Sequence, residues 1–169
     1  MSVEMRNSVE TWLKEIGCTP VVENDPEANF HFRIDYPVNS PHVMHVVSPR
    51  KSNAAVVVAT RTDMGHEHIE SFQKLDPDSQ QDFLWDLRRT VNSTEVDFQF
   101  DGAKNPTDCP TAVQISSVRF SDGLTMDSFV RTVGAVFKIE LAAIWVIHKH
   151  LGSGGDHGPG RFDFRRIGI

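Results

Sequence analysis

From Thr125 to Leu151 the chain runs without a proline, and it stops at Gly152. This stretch constrains the fold more than any other feature. A helix of about 26 residues rising ~1.5 Å per residue is roughly 39 Å long, enough to cross a whole small domain. Phe129, Val130, Val133, Phe137, Leu141, Ile144, Ile147 and Leu151 recur at helical spacing and predict a broad core stripe. Ala135, Ile139, Ala142 and Val146 form a smaller apolar stripe on the other side. The helix should therefore be buried on two sides, the second by another element of the chain or by a second subunit. Lys138 and Glu140 break the run well short of the ~20 apolar residues a membrane span needs. Glu140 projects into the first stripe and is expected as a rim carboxylate; buried, it would need a partner and its pKa would rise.

Ahead of that helix the apolar period changes several times. Val9, Trp12, Leu13 and Ile16 stand at i, i+3, i+4 and i+7, an amphipathic helix that Gly17 and Pro20 terminate. Phe30, Phe32, Ile34 and Tyr36 then alternate with His31, Arg33 and Asp35, the pattern of a half-buried strand ended by Pro37. Residues 43–47 and 54–60 are two more β-branched runs, and the short turns between them favour an antiparallel meander. Asp76-Pro77 opens a second helix as N-cap and first helical residue, with Phe83, Leu84, Leu87 and Val91 as its core face. Val96, Phe98 and Phe100 alternate with Asp97, Gln99 and Asp101, and a fifth strand comes after them over 113–120. The order α-βββ-α-ββ-α predicts an α+β fold over residues 1–151, a five-stranded antiparallel sheet with helices packed on it. Both phenylalanine-bearing alternating sets should face those helices.

Composition narrows the function classes. With 169 residues and 19.0 kDa the chain can bury a core without a disulfide or metal staple. Lys+Arg 17 against Asp+Glu 23 gives 17 − 23 = −6, a poor balance for a general nucleic-acid binder. Cys18 and Cys109 have no partner at framework or metal-ligand spacing. The N-terminal Met1-Ser2-Val3-Glu4-Met5-Arg6 has no apolar signal core, so a cytoplasmic chain is expected. Residues 152–169 differ from the rest. Residues 152–160 are Gly-rich and read as a flexible tether, with Arg161, Phe162, Phe164, Arg165 and Arg166 beyond it. Three arginines against Asp156 and Asp163 leave this tail at 3 − 2 = +1 and the body at −7. Arginine interleaved with phenylalanine suits a segment that docks on a partner protein, or on RNA. A merely disordered terminus is the competing reading.

The segments Ala28-Asn29-Phe30-His31-Phe32, Phe83-Leu84-Trp85-Asp86-Leu87-Arg88, Val96-Asp97-Phe98 and Asp122-Gly123-Leu124-Thr125, with Val136-Phe137-Lys138 and Ile144-Trp145-Val146-Ile147, carry a resemblance. They resemble an uncharacterised, mostly archaeal family of unknown function assigned to the type III secretion chaperone-like fold. The resemblance spans roughly residues 9–152 and leaves the tail outside. It implies a homodimer that binds extended segments of a partner. Its motifs are hydrophobic and structural, and fold alone does not assign chemistry.

Sites for chemistry are sparse. His66-Glu67-His68 puts two imidazoles at i, i+2, which diverge on a helix, and no HExxH spacing occurs. His42 and His45 are poorly spaced for joint ligation, and His148 and His150 suit the C-terminal end of the last helix. There is no G-x-S-x-G elbow and no Gly-rich phosphate loop. No catalytic residue, metal or cofactor is therefore expected. Trp85 stands out, about 145° from the core face of its helix at 100° per residue. A large aromatic there suits partner contact, or packing under a neighbouring loop. The sequence thus predicts a non-enzymatic protein-binding or chaperone-like module. Trp85 and the tail residues Arg161, Phe162, Phe164, Arg165 and Arg166 are its contact candidates, and Ala135, Ile139, Ala142 and Val146 its homodimer face. An assembly factor or accessory subunit of a larger protein or ribonucleoprotein complex, attached through the tail, is the alternative; an unrecognised enzyme is a second.

Overall fold

A computed structural model of the chain describes residues 2–52 and 54–153. The elements are α1 (Ser2–Glu15), β1 (Val21–Val22), β2 (Ala28–Asp35), β3 (Val43–Pro49), β4 (Ala55–Asp63), α2 (His66–Lys74), α3 (Pro77–Val91), β5 (Asp97–Asp101), β6 (Ala112–Phe120) and α4 (Met126–Leu151). The six strands form one antiparallel sheet in the order β1-β2-β3-β4-β6-β5. The α+β class and the meander stand as expected. Two corrections concern element count. The sheet has six strands rather than five, because Val21 and Val22 pair with Arg33 and Phe32 as a two-residue edge strand. The helical region before β5 is two helices, and α2 carries its own buried pair, His68 and Phe72.

Local chemistry places the helix ends. Asp76 caps α3 by accepting from the Ser79 amide at 3.0 Å, with Pro77 just inside. Thr125 and Ser128 form a capping box at the start of α4. Gly17 stands after α1 with φ +84, the left-handed conformation that favours glycine at a helix end.

The register divides the strand residues between two faces. Phe32, Val46, Val58 and Ser117 are cross-strand partners on one face, as are Ile34, Met44, Thr60, Ile115 and Phe98. All four helices pack on this face, in one cluster with Val9, Leu13, Phe83, Leu87, Phe129 and Val133. Across the opposite face run His31, Val47, Val57 and Val118, and beside them Arg33, His45, Ala59, Ser116 and Asp97. The small cluster there, Ala28, Val47, Val57 and Ala59 with Val118, contains no helix residue.

Three side-chain placements differ from expectation. Phe98 lies on the helix-bearing side in register with Ile115 but is 39% exposed, because the edge strand β5 extends beyond the helical cover. The buried stripe of α4 is rotated: Phe129, Val133, Val136, Glu140, Ala143, Ile147 and Leu151 are buried, while Phe137, Leu141 and Ile144 are half-buried. Glu140 is thus a core carboxylate rather than a rim one.

Candidate protein-binding site

Helix α3 presents one flank to α4 and another to solvent. Asp86 fixes the inner side, accepting from Lys149 Nζ at 2.9 Å and pairing with His150 Nε2 at 3.0 Å. Hydrogen bonds from His150 and Lys149 hold its carboxyl below the usual range. On the outer side Pro77, Gln80, Gln81, Leu84, Trp85 and Arg88 recur at helical spacing and line one wall of a pocket of about 370 Å³. Pro106 and Thr107 form the other wall.

The loop of that second wall is built to hold its shape. Asp108 accepts from the backbone amides of Lys104 and Asn105 at 2.9 and 2.8 Å. Gly102 turns the chain at φ +78, where an added Cβ would lie 2.6 Å from Thr111 Oγ1. Arg88 donates to the Pro106 carbonyl and ties loop to helix. Trp85 is 65% exposed beside this pocket, so the neighbouring loop does not cover it. An aromatic, an arginine and two prolines bordering an open concavity can bind an apolar or aromatic side chain of a partner.

Other polar groups converge elsewhere. Glu140 accepts from Thr60 Oγ1, and from Thr62 Oγ1 at 3.3 Å, while His42 Nδ1 lies 3.8 Å from its Oε2. Burial raises its pKa, against the lowering effect of those hydroxyls and of His42. On the helix-free face His31 and His45 are diagonal neighbours on paired strands, with His31 Nε2 2.8 Å from His45 Nδ1. Asp25 Oδ2 lies 3.2 Å from His31 Nδ1. A carboxylate beside His31 Nδ1 can only accept, and the His31 and His45 rings share one hydrogen bond through Nε2 and Nδ1. Burial, His31 and Arg33 push the His45 imidazole down to about 3. Cys18 is buried with its thiol pushed up, and burial pushes Cys109 up to about 11, so neither thiol is activated. Among the described residues no group of three or more His, Cys, Asp or Glu is placed to hold a metal ion, and no helix is long and apolar enough to cross a membrane.

Trp85 is therefore the one tail-independent contact candidate, and the structure puts it beside a pocket. Ala135, Ile139 and Val146 are half-buried against the main core and Ala142 is half-buried on the same flank. Trp145, 63% exposed and three residues beyond Ala142, is a surface aromatic that sequence reasoning passed over. The signal was the same as at Trp85, a large aromatic standing off the buried stripe of its helix. Arg161, Phe162, Phe164, Arg165 and Arg166 lie outside the described residues.

The model of a family described as "Uncharacterized conserved protein (DUF2299)" matches residues 5–147. A solved structure of an uncharacterized protein from Methanothermobacter thermautotrophicus is 28% identical with a TM-score of 0.77, over 90% of this chain and 100% of that one. YbjN from E. coli, at 12% identity and a TM-score of 0.44 over 85% and 89% of the two chains, is too distant to support an argument. None of the curated proteins matches the chain.

Proposed function

The chain belongs to the DUF2299 family of uncharacterized conserved proteins, and we propose that it is a non-enzymatic, homodimeric protein-binding module with a chaperone-like fold of the type III secretion kind. It holds an extended segment of a partner protein against Trp85. The observation that carries this reading is Trp85 itself, exposed beside a pocket whose two walls are tied together by Arg88 and Pro106. Solvating a tryptophan in a monomer is unfavourable unless a partner buries it, and tryptophan and arginine dominate binding energy at protein interfaces. For homodimerisation the surface left on this side of α4 is the exposed Trp145 with the half-buried Ala142 near it, since Ala135, Ile139 and Val146 also pack on their own chain's core.

The test uses the full chain. Sedimentation equilibrium at micromolar concentration should give about twice 19.0 kDa. Peptides selected from a random library against the wild type should bind Trp85→Ala at least about tenfold more weakly, the loss typical of an interface hot spot. The variant's unfolding midpoint should stay in place, since the side chain is largely solvated. Selected peptides that bind the two proteins equally would overturn the assignment of Trp85.

A further inference from the structure

The pocket beside Trp85 limits the chemistry of its occupant. Its walls are apolar or aromatic at Pro77, Leu84, Trp85 and Pro106, and Arg88 is the one charged group that lines it. A cationic side chain would therefore meet a guanidinium and no carboxylate. An acidic segment gains little either. Helix α3 carries Arg88 and Arg89 against Asp78, Asp82 and Asp86, 2 − 3 = −1, and the whole chain stands at −6. The pocket thus suits a neutral segment.

Main-chain pairing is closed to that segment. One wall is a helix, whose N–H groups are spent within it or on the Asp76 cap. In the other, the Lys104 and Asn105 amides go to Asp108, and the Pro106 carbonyl accepts from Arg88. Neither wall is a strand, so an extended peptide has no sheet edge to join here. An amphipathic helix needs a long apolar groove, and Leu84 is the one aliphatic side chain that α3 gives this pocket. A polyproline II segment fits these limits. It has no internal hydrogen bonds and loses little conformational freedom on docking. Its prolines have no N–H to satisfy, and its carbonyls accept from donors such as the Trp85 indole and the further N–H groups of Arg88. From Pro77 to Arg88 the helix rises about 16 Å, the length of about five residues in that conformation.

Taking Trp85 as the partner site, on which this inference rests, we propose that the pocket between α3 and the 104–108 loop selects proline-rich segments in the polyproline II conformation. Proline rings of the partner pack on Trp85 and Pro106. The indole N–H and Arg88 donate to the carbonyls between those rings.

Acetylated and amidated octaproline is the probe, titrated into the full isotope-labelled chain and read by nuclear magnetic resonance. The chain has three tryptophans, Trp12, Trp85 and Trp145. The Trp85 indole resonance, identified by its loss in Trp85→Phe, should shift while the other two stay in place. A Gly-Ser peptide of the same length should leave all three unmoved. Trp85→Ala should weaken octaproline binding at least about tenfold, read on the amide resonances of α3. A wild-type Trp85 indole that ignores octaproline, or answers the Gly-Ser peptide equally, would overturn the proposal. Tighter binding of a glutamate-rich peptide of the same length would assign the pocket to acidic segments and overturn it too. The two readings fail separately. Library-selected peptides that lack proline yet need Trp85 would keep the site and remove its preference for proline. Selected peptides indifferent to Trp85 would remove the site itself, and the proposal with it.

Discussion

The two faces of this sheet are made by the same strands and held by different physics. On the helix-bearing face Phe32, Ile34, Met44, Val46 and Val58 are essentially unexposed and meet apolar side chains from all four helices. Stability there comes from area removed from water and from close packing, and neither depends on pH. On the other face the floor is built of valines and alanines, while its larger side chains are paired polar groups: His31 with His45 and Asp25, Arg33 with Glu23, and Arg61 with Asp63 and Asp101. Such pairs contribute less each, and their contribution follows protonation. One face is therefore held by apolar packing under the helices, and the other by small apolar side chains with paired polar groups around them.

The sharpest way to break that contrast is in the core of the helix-bearing face. Phe32 has no exposed surface and lies under Arg6 of α1, whose guanidinium carbon is 5.9 Å from the ring centroid. Phe32→Ala removes the side chain and leaves a cavity, so it should cost about 3–5 kcal/mol in chemical denaturation. A loss below about 1 kcal/mol would mean that the helical cover is not the main source of stability.

How far this division was legible in the sequence differs from residue to residue. The alternation of Phe30, Phe32 and Ile34 with His31 and Arg33 assigns each side chain to a face, and the caps at Asp76 and Thr125 are local chemistry readable in place. The rotation of α4 was not readable. Glu140 is buried because Thr60 and Thr62, about 80 residues away, supply hydroxyls to its carboxylate, and no local pattern encodes that. Strand β1 escaped because two valines make no period, and α2 because it brings only His68 and Phe72 to the core. The His31–His45 pair depends on the β2–β3 register, which spacing along the chain leaves open. Trp85 was found because a single exposed aromatic against a helical stripe is a local signal.

An acid titration sharpens the comparison at intermediate size. His45 is held at about 3 in the folded chain and takes its proton near 6.5 when unfolded. A depressed base contributes stability that is fully present above about pH 6.5 and lost as pH falls toward 3. Glu140, on the other face, has the opposite sign. Its raised pKa means stability present below about 4.5 and lost as pH rises through the folded value. His45→Gln keeps a hydrogen-bonding side chain beside His31 Nε2 and removes the titration, so its stability should fall less between pH 6.5 and 3. The difference should be on the order of 1–3 kcal/mol in urea denaturation across that interval. Parallel curves for wild type and variant would show that the helix-free face does not supply the acid limb.

The smallest effect is expected where the two descriptions meet. Phe98 shares the helix-bearing face with Ile115, but it sits on the edge strand β5 and is 39% exposed, with Phe100 as its ring neighbour at 5.3 Å. Truncating it removes partly buried area yet leaves no closed cavity, because the space opens to water. Only the transfer term of a large-to-small substitution applies, not the cavity term. Phe98→Ala should therefore cost about 1 kcal/mol, well below the loss for Phe32, although both point to the same side of the sheet. A loss of about 3–5 kcal/mol would mean that something covers β5 in solution. Repeating the denaturation over a range of protein concentrations then identifies the cover. A cost that grows with concentration marks a second copy, since subunit contact stabilises by mass action. A constant cost marks a segment of the same chain, and the boundary between packed and available surface would move to the sheet edge.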